Sequence, residues 1–344
     1  MSTITLPKVD LGTVYKGSPS GKVVQAKGAT VDLQPDEVVI DIAYSGLCGT
    51  DLHFRTKDMV LGHEGVGIIS QVGSEVTNVK VGDRVGWGYN HDSCGYCDSC
   101  LDGWDIFCPD SKMYGSADLD IGGFGDRAVI NSLFVHKIPD SLSLRDAAPL
   151  QCGGITVYAA LVNAKVTATS RVGVLGIGGL GHLAIQYAAK MGCEVVVFSS
   201  TNNKKDQATK LGASEFVATK ENPKMEGVKP IDVLLVTTSQ QPDWNAYFKL
   251  MRPEGTIVPL TVSFEQMSHP YFDIVAKQLN VHGSFVGRRL THRQMLEFSA
   301  RQNVLPIVED MPMTEEGLND AMERLDRGDV RYRFVLKSQR TDAV

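Results

Sequence analysis

The stretch Arg171-Val172-Gly173-Val174-Leu175-Gly176-Ile177-Gly178-Gly179-Leu180-Gly181 decides how the second half of this chain folds. A short apolar strand runs into GxGxxG, and helical spacing follows at once, with Leu183, Ile185, Tyr187, Ala188 and Met191 marking a helix over 180–191. Glycines in that order let the chain turn tightly and let backbone N–H groups approach a pyrophosphate, and the helix N-terminus adds a favourable dipole. The alternative is a glycine-rich turn that binds nothing. A strand before, a helix after and a second strand over 194–198 favour a dinucleotide site.

The end of that second strand bears on which dinucleotide. An NAD site usually places Asp or Glu about 20 residues beyond the glycines, where it accepts from the ribose hydroxyls. This chain has Ser199, Ser200 and Thr201 there, followed by Lys204 and Lys205. Hydroxyls and ammonium groups suit a 2′-phosphate that a carboxylate would repel, so NADP(H) is the expected cofactor. The bland alternative is a solvated loop whose lysines open a helix.

Outward from the glycine loop, the pattern predicts helices over 155–164 and 204–211, the second closed by Gly212, and strands over 231–236, 255–260 and 280–285. Strands alternating with helices indicate a parallel sheet covered on both faces. A last helix is expected over 314–327 and a strand over 332–336. Before residue 150 the chain reads differently, as short β-segments over 37–43, 65–72, 84–87 and 127–130 broken by Gly, Pro and Asp, which fits an all-β or barrel-like domain. The boundary near residue 152 rests on this change of pattern alone.

Bulk properties agree. A chain of 344 residues points to two domains, at roughly 100–200 residues each. Hydrophobic residues at 43% and charged residues at 22% describe an ordinary globular protein. The net charge of -6, with no basic stripe, argues against nucleic acid or an anionic membrane as partner. Apolar runs such as Val195-Val196-Val197-Phe198 are far short of the roughly 20 residues that span a bilayer. The N-terminal residues carry no secretory pattern, so a cytoplasmic protein is expected.

Seven cysteines are present, and four crowd together as Cys94-x2-Cys97-x2-Cys100-x7-Cys108. Four thiolates suit tetrahedral zinc and leave no position open, so this set reads as a structural site; an iron–sulfur cluster is the rival. A second, dispersed set comprises Cys48, the Gly62-His63-Glu64 step and Cys152. Two thiolates and an imidazole leave one coordination position open, as a catalytic zinc requires. Taken singly, each cysteine is as well explained as a small buried side chain; the combination carries the reading.

Cys48-Gly49-Thr50-Asp51-Leu52-His53, Gly62-His63-Glu64, the four-cysteine loop, Cys152-Gly153-Gly154-Ile155-Thr156-Val157-Tyr158 and the glycine loop stand in the order found in the zinc-dependent medium-chain alcohol dehydrogenases, which the chain resembles over nearly its whole length. Leu150-Gln151-Cys152, Ile155-Thr156-Val157-Tyr158 and the serine-rich end of the second strand look most like the NADP-dependent cinnamyl alcohol dehydrogenase branch. The resemblance implies an α/β plus β architecture. A GroES-like β-barrel catalytic domain (1–154 and 290–344) would join a Rossmann doubly wound parallel-sheet cofactor domain (155–289), with substrate, zinc and nicotinamide in the cleft between them.

It also implies roles. Cys48, His63 and Cys152 would ligate the catalytic zinc, with Glu64 an occasional fourth ligand. Asp51 would accept from the far ring nitrogen of His63. Thr50 would hydrogen-bond the substrate oxygen and start a proton relay through the cofactor ribose to His53. Gly176, Gly178, Gly179, Leu180 and Gly181 would hold the pyrophosphate, Ser199, Ser200, Thr201 and Lys204 the 2′-phosphate, and Thr156 and Ser284 would touch the cofactor. The implied reaction interconverts aldehydes and primary alcohols, aromatic or medium-size aliphatic. The alternative is a pathway-specific dehydrogenase of a polyol or secondary-metabolite alcohol or ketone. A homodimer through the Rossmann edge strand is implied too.

One departure bears on substrate. Only Phe54 to Leu61 separates His53 from Gly62, several residues fewer than the family usually carries, which implies a more open or differently shaped substrate pocket. Of the remaining residues, Cys193 and His182 read as packed interior side chains, and His91 as a surface histidine, the alternative being one that approaches the pocket.

Overall fold

The computed structural model of the chain describes residues 6–340. The chain divides into two compact units, one formed by Met1–Cys152, Arg288–Arg301 and Pro306–Val344, the other by Gly153–Gly287 and Gln302–Leu305.

The first unit is organised by the long strand Glu37–Leu47, buried along most of its length. It pairs antiparallel with Gly65–Val72, Arg127–Asn131 and Arg333–Lys337. The sheet runs His136–Lys137, Arg84–Gly86, Gly65–Val72, Glu37–Leu47, Arg333–Lys337, Val308–Pro312, with Arg127–Asn131 off that path. Val38, Ile40, Ile42 and Leu47 pack there with Ile69, Val85, Trp87, Phe124 and Phe334, each worth about 1.5–3 kcal/mol when fully buried. The strand outruns the expected 37–43 because the tail strand zips onto Tyr44–Leu47, pairing Phe334 with Leu47. That partner lies far along the chain, and the small residues Ser45 and Gly46 have little strand preference of their own. The same pairing carries Arg333 to the end of the strand that delivers Cys48.

The second unit is a six-stranded, all-parallel sheet in the order Glu215–Ala218, Glu194–Ser199, Arg171–Leu175, Ile231–Val236, Met251–Pro259, Asn280–Val281. Helices Gly181–Lys190 and Lys205–Leu211 connect its strands in the expected alternation. Val195 to Phe198 are fully buried, as a strand covered on both faces demands. Buried Arg171 opens the central strand and pairs with Glu194 and Glu215 of the next two, which compensates its guanidinium.

Some elements carried no expectation. The helices Trp244–Leu250, Tyr271–Lys277 and Arg289–Gln302 and the strand Val308–Pro312 are among them. In Arg289–Gln302 only His292, Met295, Leu296 and Ser299 are buried, and two of those four are polar, which hides the helical period. The strand expected over 280–285 ends at Val281; it is the outermost strand, pairs on one side only, and soon meets Gly283. His91 is buried, not on the surface, because it points inward from the short strand Asn90–Asp92, with Nδ1 3.5 Å from an Asp118 carboxylate oxygen. His182 and Cys193 are interior side chains.

A pair of histidines ties the tail helix to the sheet. His136 and His292 are both buried and stack with ring centroids 3.9 Å apart. His292 Nε2 lies 3.1 Å from Gln151 Oε1, while Gln151 Nε2 donates to Ala147 O at 3.0 Å, so the imidazole is the donor. Burial, then the nearby Arg293 and Arg289, push the His136 pKa down to about 3. Burial, then His136, lower His292 as well. Both rings therefore stay neutral in the fold and take protons only on unfolding, so the stability they contribute is present above about pH 6.5 and is lost as pH falls below it. Each contributes a slope of about 1.4 kcal/mol per pH unit in that window. We expect His292→Gln, which can still donate to Gln151, to flatten the fall of urea-unfolding stability between pH 6.5 and 5. An unchanged slope would contradict the assignment.

Candidate active site and metal centres

Cys48 ends the long strand and begins the helix Gly49–Phe54. Asp51, at the third helical position, reaches back so that the Cys48 backbone N–H donates to its Oδ2 at 2.8 Å, half of a capping box. The other oxygen, Oδ1, lies 3.0 Å from His63 Nδ1. A carboxylate there fixes the tautomer: Nδ1 carries the proton and Nε2 presents its lone pair. His63 Nε2 is buried and has no hydrogen-bond partner among the described residues. The donor atoms of Cys48, His63, Glu64 and Cys152 all lie within 4.8 Å of one another. A buried orphan nitrogen facing two sulfurs and a carboxylate is the donor set of a divalent transition metal.

The proton balance points the same way. Hydrogen bonding with Cys152 holds the Cys48 thiol well below its ordinary range and raises Cys152 well above it, so one thiolate and one thiol share a proton. Burial lowers the proton affinity of His63, but Asp51 outweighs it and the direction is up. A cation held by these residues would take the place of both protons. Burial pushes Glu64 up to about 7, against the opposing pull of Arg333. Arg333 Nη2 donates to both Glu64 oxygens, and both residues are buried. Gly46 makes room for this carboxylate, since a Cβ there would fall 1.9 Å from Glu64 Oε2. Glu64 thus reaches the site already engaged by a cation on the tail strand.

Thr50 is half-buried, with Oγ1 3.7 Å from Cys48 Sγ. His53 is exposed one helical turn further on, on the same face. Tyr114 closes the inner side: its hydroxyl donates to Asp51 Oδ1 at 2.8 Å and accepts from Gly62 N at 3.0 Å. Sequence reasoning missed both Arg333 and Tyr114; lone Arg and Tyr residues carry no spacing signal.

The four-cysteine loop forms a second donor set of Cys94, Cys97, Cys100 and Cys108. Cys94 and Cys108 sulfurs are 3.5 Å apart, Cys97 and Cys100 3.6 Å, and Cys94 and Cys100 4.0 Å. Zn–S bonds of about 2.3 Å in a tetrahedron give edges of about 3.8 Å. The backbone N–H groups of Cys94 and Asp110 donate to Cys108 Sγ, as charge on a thiolate cluster requires. A closed four-sulfur set fits structural zinc.

In the second unit, Gly176 turns the chain with φ of +96°, and a Cβ on Gly181 would meet Gly176 O at 2.1 Å, so the strand and helix approach as only glycine permits. A Cβ on Gly178 would meet nothing, which leaves open space over the loop for a phosphate. Thr237 Oγ1 donates to Leu175 O and Gly176 O and braces the turn, a contact with no sequence signal. Ser199, Ser200 and Thr201 lie at the end of their strand, and Lys204 Nζ donates to Ile177 O at 2.7 Å, which brings its ammonium to the glycine loop. Thr156 is buried on the helix Gly153–Asn163. Ser284 Oγ is buried with no hydrogen-bond partner among the described residues.

Two family patterns match this chain: the alcohol dehydrogenase GroES-like domain over residues 34–140 and the zinc-binding dehydrogenase domain over 179–301. A probable formaldehyde dehydrogenase of Bacillus subtilis, AdhA, is 38% identical over 318 residues, 88% of this chain and 90% of that protein. NADP-dependent alcohol dehydrogenase C 1 of Mycolicibacterium smegmatis is 38% identical, again over 88% of this chain and 90% of its own. The structure of cinnamyl alcohol dehydrogenase 4 from Sorghum bicolor superposes with a TM-score of 0.88 at 32% identity, covering 96% of this chain and 98% of that one. The chain belongs to the zinc-dependent medium-chain alcohol dehydrogenases. Within them it is cinnamyl alcohol dehydrogenase-like, a GroES-like domain joined to a Rossmann-type domain.

Both donor sets make a countable prediction. The purified chain is expected to hold two equivalents of zinc, one per donor set. By plasma mass spectrometry, His63→Ala and Cys108→Ser should each lose one; retention of both in His63→Ala would contradict the ligand assignment.

Proposed function

We propose that this protein is an NADP(H)-dependent zinc oxidoreductase that interconverts aldehydes and primary alcohols, aromatic or medium-size aliphatic. The observation that carries the reading is the donor set of half-buried Cys48 with buried His63 and Cys152, with an unpartnered His63 Nε2, in a chain that also holds a glycine loop braced for a dinucleotide. When bound, zinc supplies Lewis-acid polarisation of a carbonyl oxygen, and the reduced nicotinamide supplies the hydride.

The chain's own residues do the rest. Asp51 holds the His63 tautomer, so that the imidazole enters as a neutral ligand. Two thiolates and a neutral imidazole make the set electrically neutral with a divalent ion, and Arg333 balances the Glu64 carboxylate beside it. Thr50 Oγ1 gives its proton to the substrate oxygen as the carbonyl is reduced. It is reprotonated from His53, whose exposed ring exchanges with water; in alcohol oxidation the proton runs the other way. Gly176, Gly178 and Gly181 receive the pyrophosphate. Ser199, Ser200, Thr201 and Lys204 receive the 2′-phosphate, and the absence of a carboxylate at Ser199 favours NADP(H) over NAD(H). Ser284, with its orphaned hydroxyl, and Thr156 are cofactor contacts.

The segment between His53 and Gly62 supports a preference for bulky carbonyls, because it is short and bound inward. Met59, Val60 and Leu61 are buried, and Lys57 lies over the Phe54 ring and donates to Gly115 O. We also infer a homodimer through the sheet edge at Asn280–Val281, the outermost strand, where Val281 is exposed. Cysteines clustered as metal ligands suit a reducing compartment, which favours the cytoplasm. No helix of the described residues is long and apolar enough to cross a membrane.

Cinnamaldehyde reduction followed at the nicotinamide absorbance tests the reading, with NADPH and NADH compared. NADPH should be consumed far faster. Ser199→Asp should lower kcat/KM for NADPH by roughly 100-fold, because facing like charges cost several kcal/mol. Equal use of both cofactors by the wild type would overturn the cofactor assignment.

A further inference from the structure

Tyr114 belongs to no donor set, yet it is buried against one. Its hydroxyl makes two hydrogen bonds at once, donating to Asp51 Oδ1 at 2.8 Å and accepting from the backbone N–H of Gly62, the residue before His63. Its ring lies 4.7 Å from the His63 imidazole, tilted by 33°. Tyr89 meets the same imidazole edge-on at 5.8 Å, and Tyr114 N donates to Tyr89 O at 2.8 Å. These two tyrosines flank the four-cysteine loop in sequence, so the hairpin that carries that loop also encloses His63.

We propose that Tyr114 is a positioning residue for the metal of Cys48, His63 and Cys152: its hydroxyl locks the Asp51 carboxylate, and through it the His63 ring, in the one orientation that aims Nε2 at the cation. The inference rests on the metal reading of that donor set.

The geometry separates this from mere packing. A ring that only fills space needs no hydroxyl, and a buried phenol is satisfied by one partner. Here the hydroxyl joins the His63 loop to the carboxylate that His63 itself uses. The terminal torsion of an aspartate is soft, and Oδ1 serves three donors, His63 Nδ1, Tyr114 and, at 3.3 Å, Gly62 N. Two effects oppose each other. Donation from Tyr114 draws charge from Oδ1, which by itself weakens the pull on the His63 proton. Without the hydroxyl, however, Gly62 N must turn fully onto Oδ1 and the carboxylate rotates with it. Loss of the outer partners of metal ligands typically costs 10–100-fold in metal affinity or activity, so positioning outweighs the charge effect.

The test follows zinc leaving the holoenzyme to a chromogenic chelator, 4-(2-pyridylazo)resorcinol, in the wild type and Tyr114→Phe. His63→Ala identifies which release phase belongs to this site. We expect that phase to quicken by roughly 10-fold in Tyr114→Phe, with the four-cysteine phase unchanged. Cobalt placed in the site should show a shifted visible spectrum in the variant. Wild-type release and an unshifted cobalt spectrum in a folded Tyr114→Phe would overturn the proposal. If that variant does not fold, nuclear magnetic resonance of the wild-type holoenzyme decides. The Tyr114 hydroxyl proton should be protected from exchange and share a nuclear Overhauser effect with the His63 Nδ1–H; a freely exchanging hydroxyl would overturn it. A wild type that releases one equivalent in all would overturn the metal reading itself, a failure distinct from that of Tyr114.

Discussion

Asp51 is the constraint on which the first unit's chemistry depends. A carboxylate with no exposure to solvent costs several kcal/mol unless its oxygens are satisfied, and here four donors converge on it: Cys48 N, His63 Nδ1, Gly62 N and the Tyr114 hydroxyl. Each donor belongs to a different part of the site. One is the backbone of Cys48, one is the His63 imidazole of the same donor set, one is the turn before it and one is the hairpin around the four-cysteine loop. Removing the carboxylate would take the acceptor from Cys48 N, His63 Nδ1 and the Tyr114 hydroxyl, leave Gly62 N to the Tyr114 oxygen alone, and free the imidazole to turn. Asp51 also caps the helix that carries Thr50 and His53, so the groups proposed to move the proton are placed by the residue that places the metal.

Charge explains the rest of the arrangement. Two thiolates and a divalent ion cancel, so a further buried carboxylate is affordable only with its own cation. Arg333 is that cation for Glu64, and it arrives on the tail strand through the Phe334–Leu47 register. In the second unit the same logic works by omission. Residues 199 to 205, at the end of the strand Glu194–Ser199 and just beyond it, include no carboxylate, and Lys204 is held at the glycine loop.

What was legible in the sequence was local. The glycine loop could be read because strand, turn and helix are contiguous, and the structure keeps them in register as Arg171–Leu175 and Gly181–Lys190. The four cysteines could be read because one short loop holds them all. Cys48, His63 and Cys152 are dispersed, and only their combination and the resemblance it carried pointed to one site. Arg333 and Tyr114 could not be read, since the first meets Glu64 across 269 positions and the second meets Asp51 across 63. Those contacts are products of strand pairing and of a hairpin folding back, which no local pattern encodes. The helix Arg289–Gln302 escaped for a related reason, because two of its four buried residues are polar and His292 becomes interior only through His136 and Gln151.

Zinc-edge X-ray absorption of the purified holoenzyme tests the central claim most directly. One site with four sulfurs and one with two sulfurs and a nitrogen average to about three sulfurs per zinc with histidine scattering present, at Zn–S of about 2.3 Å. That is the predicted spectrum. Four sulfurs per zinc with no histidine contribution would mean that only the four-cysteine loop holds metal, and that the Cys48–His63–Cys152 set is not the centre on which the proposed chemistry is built.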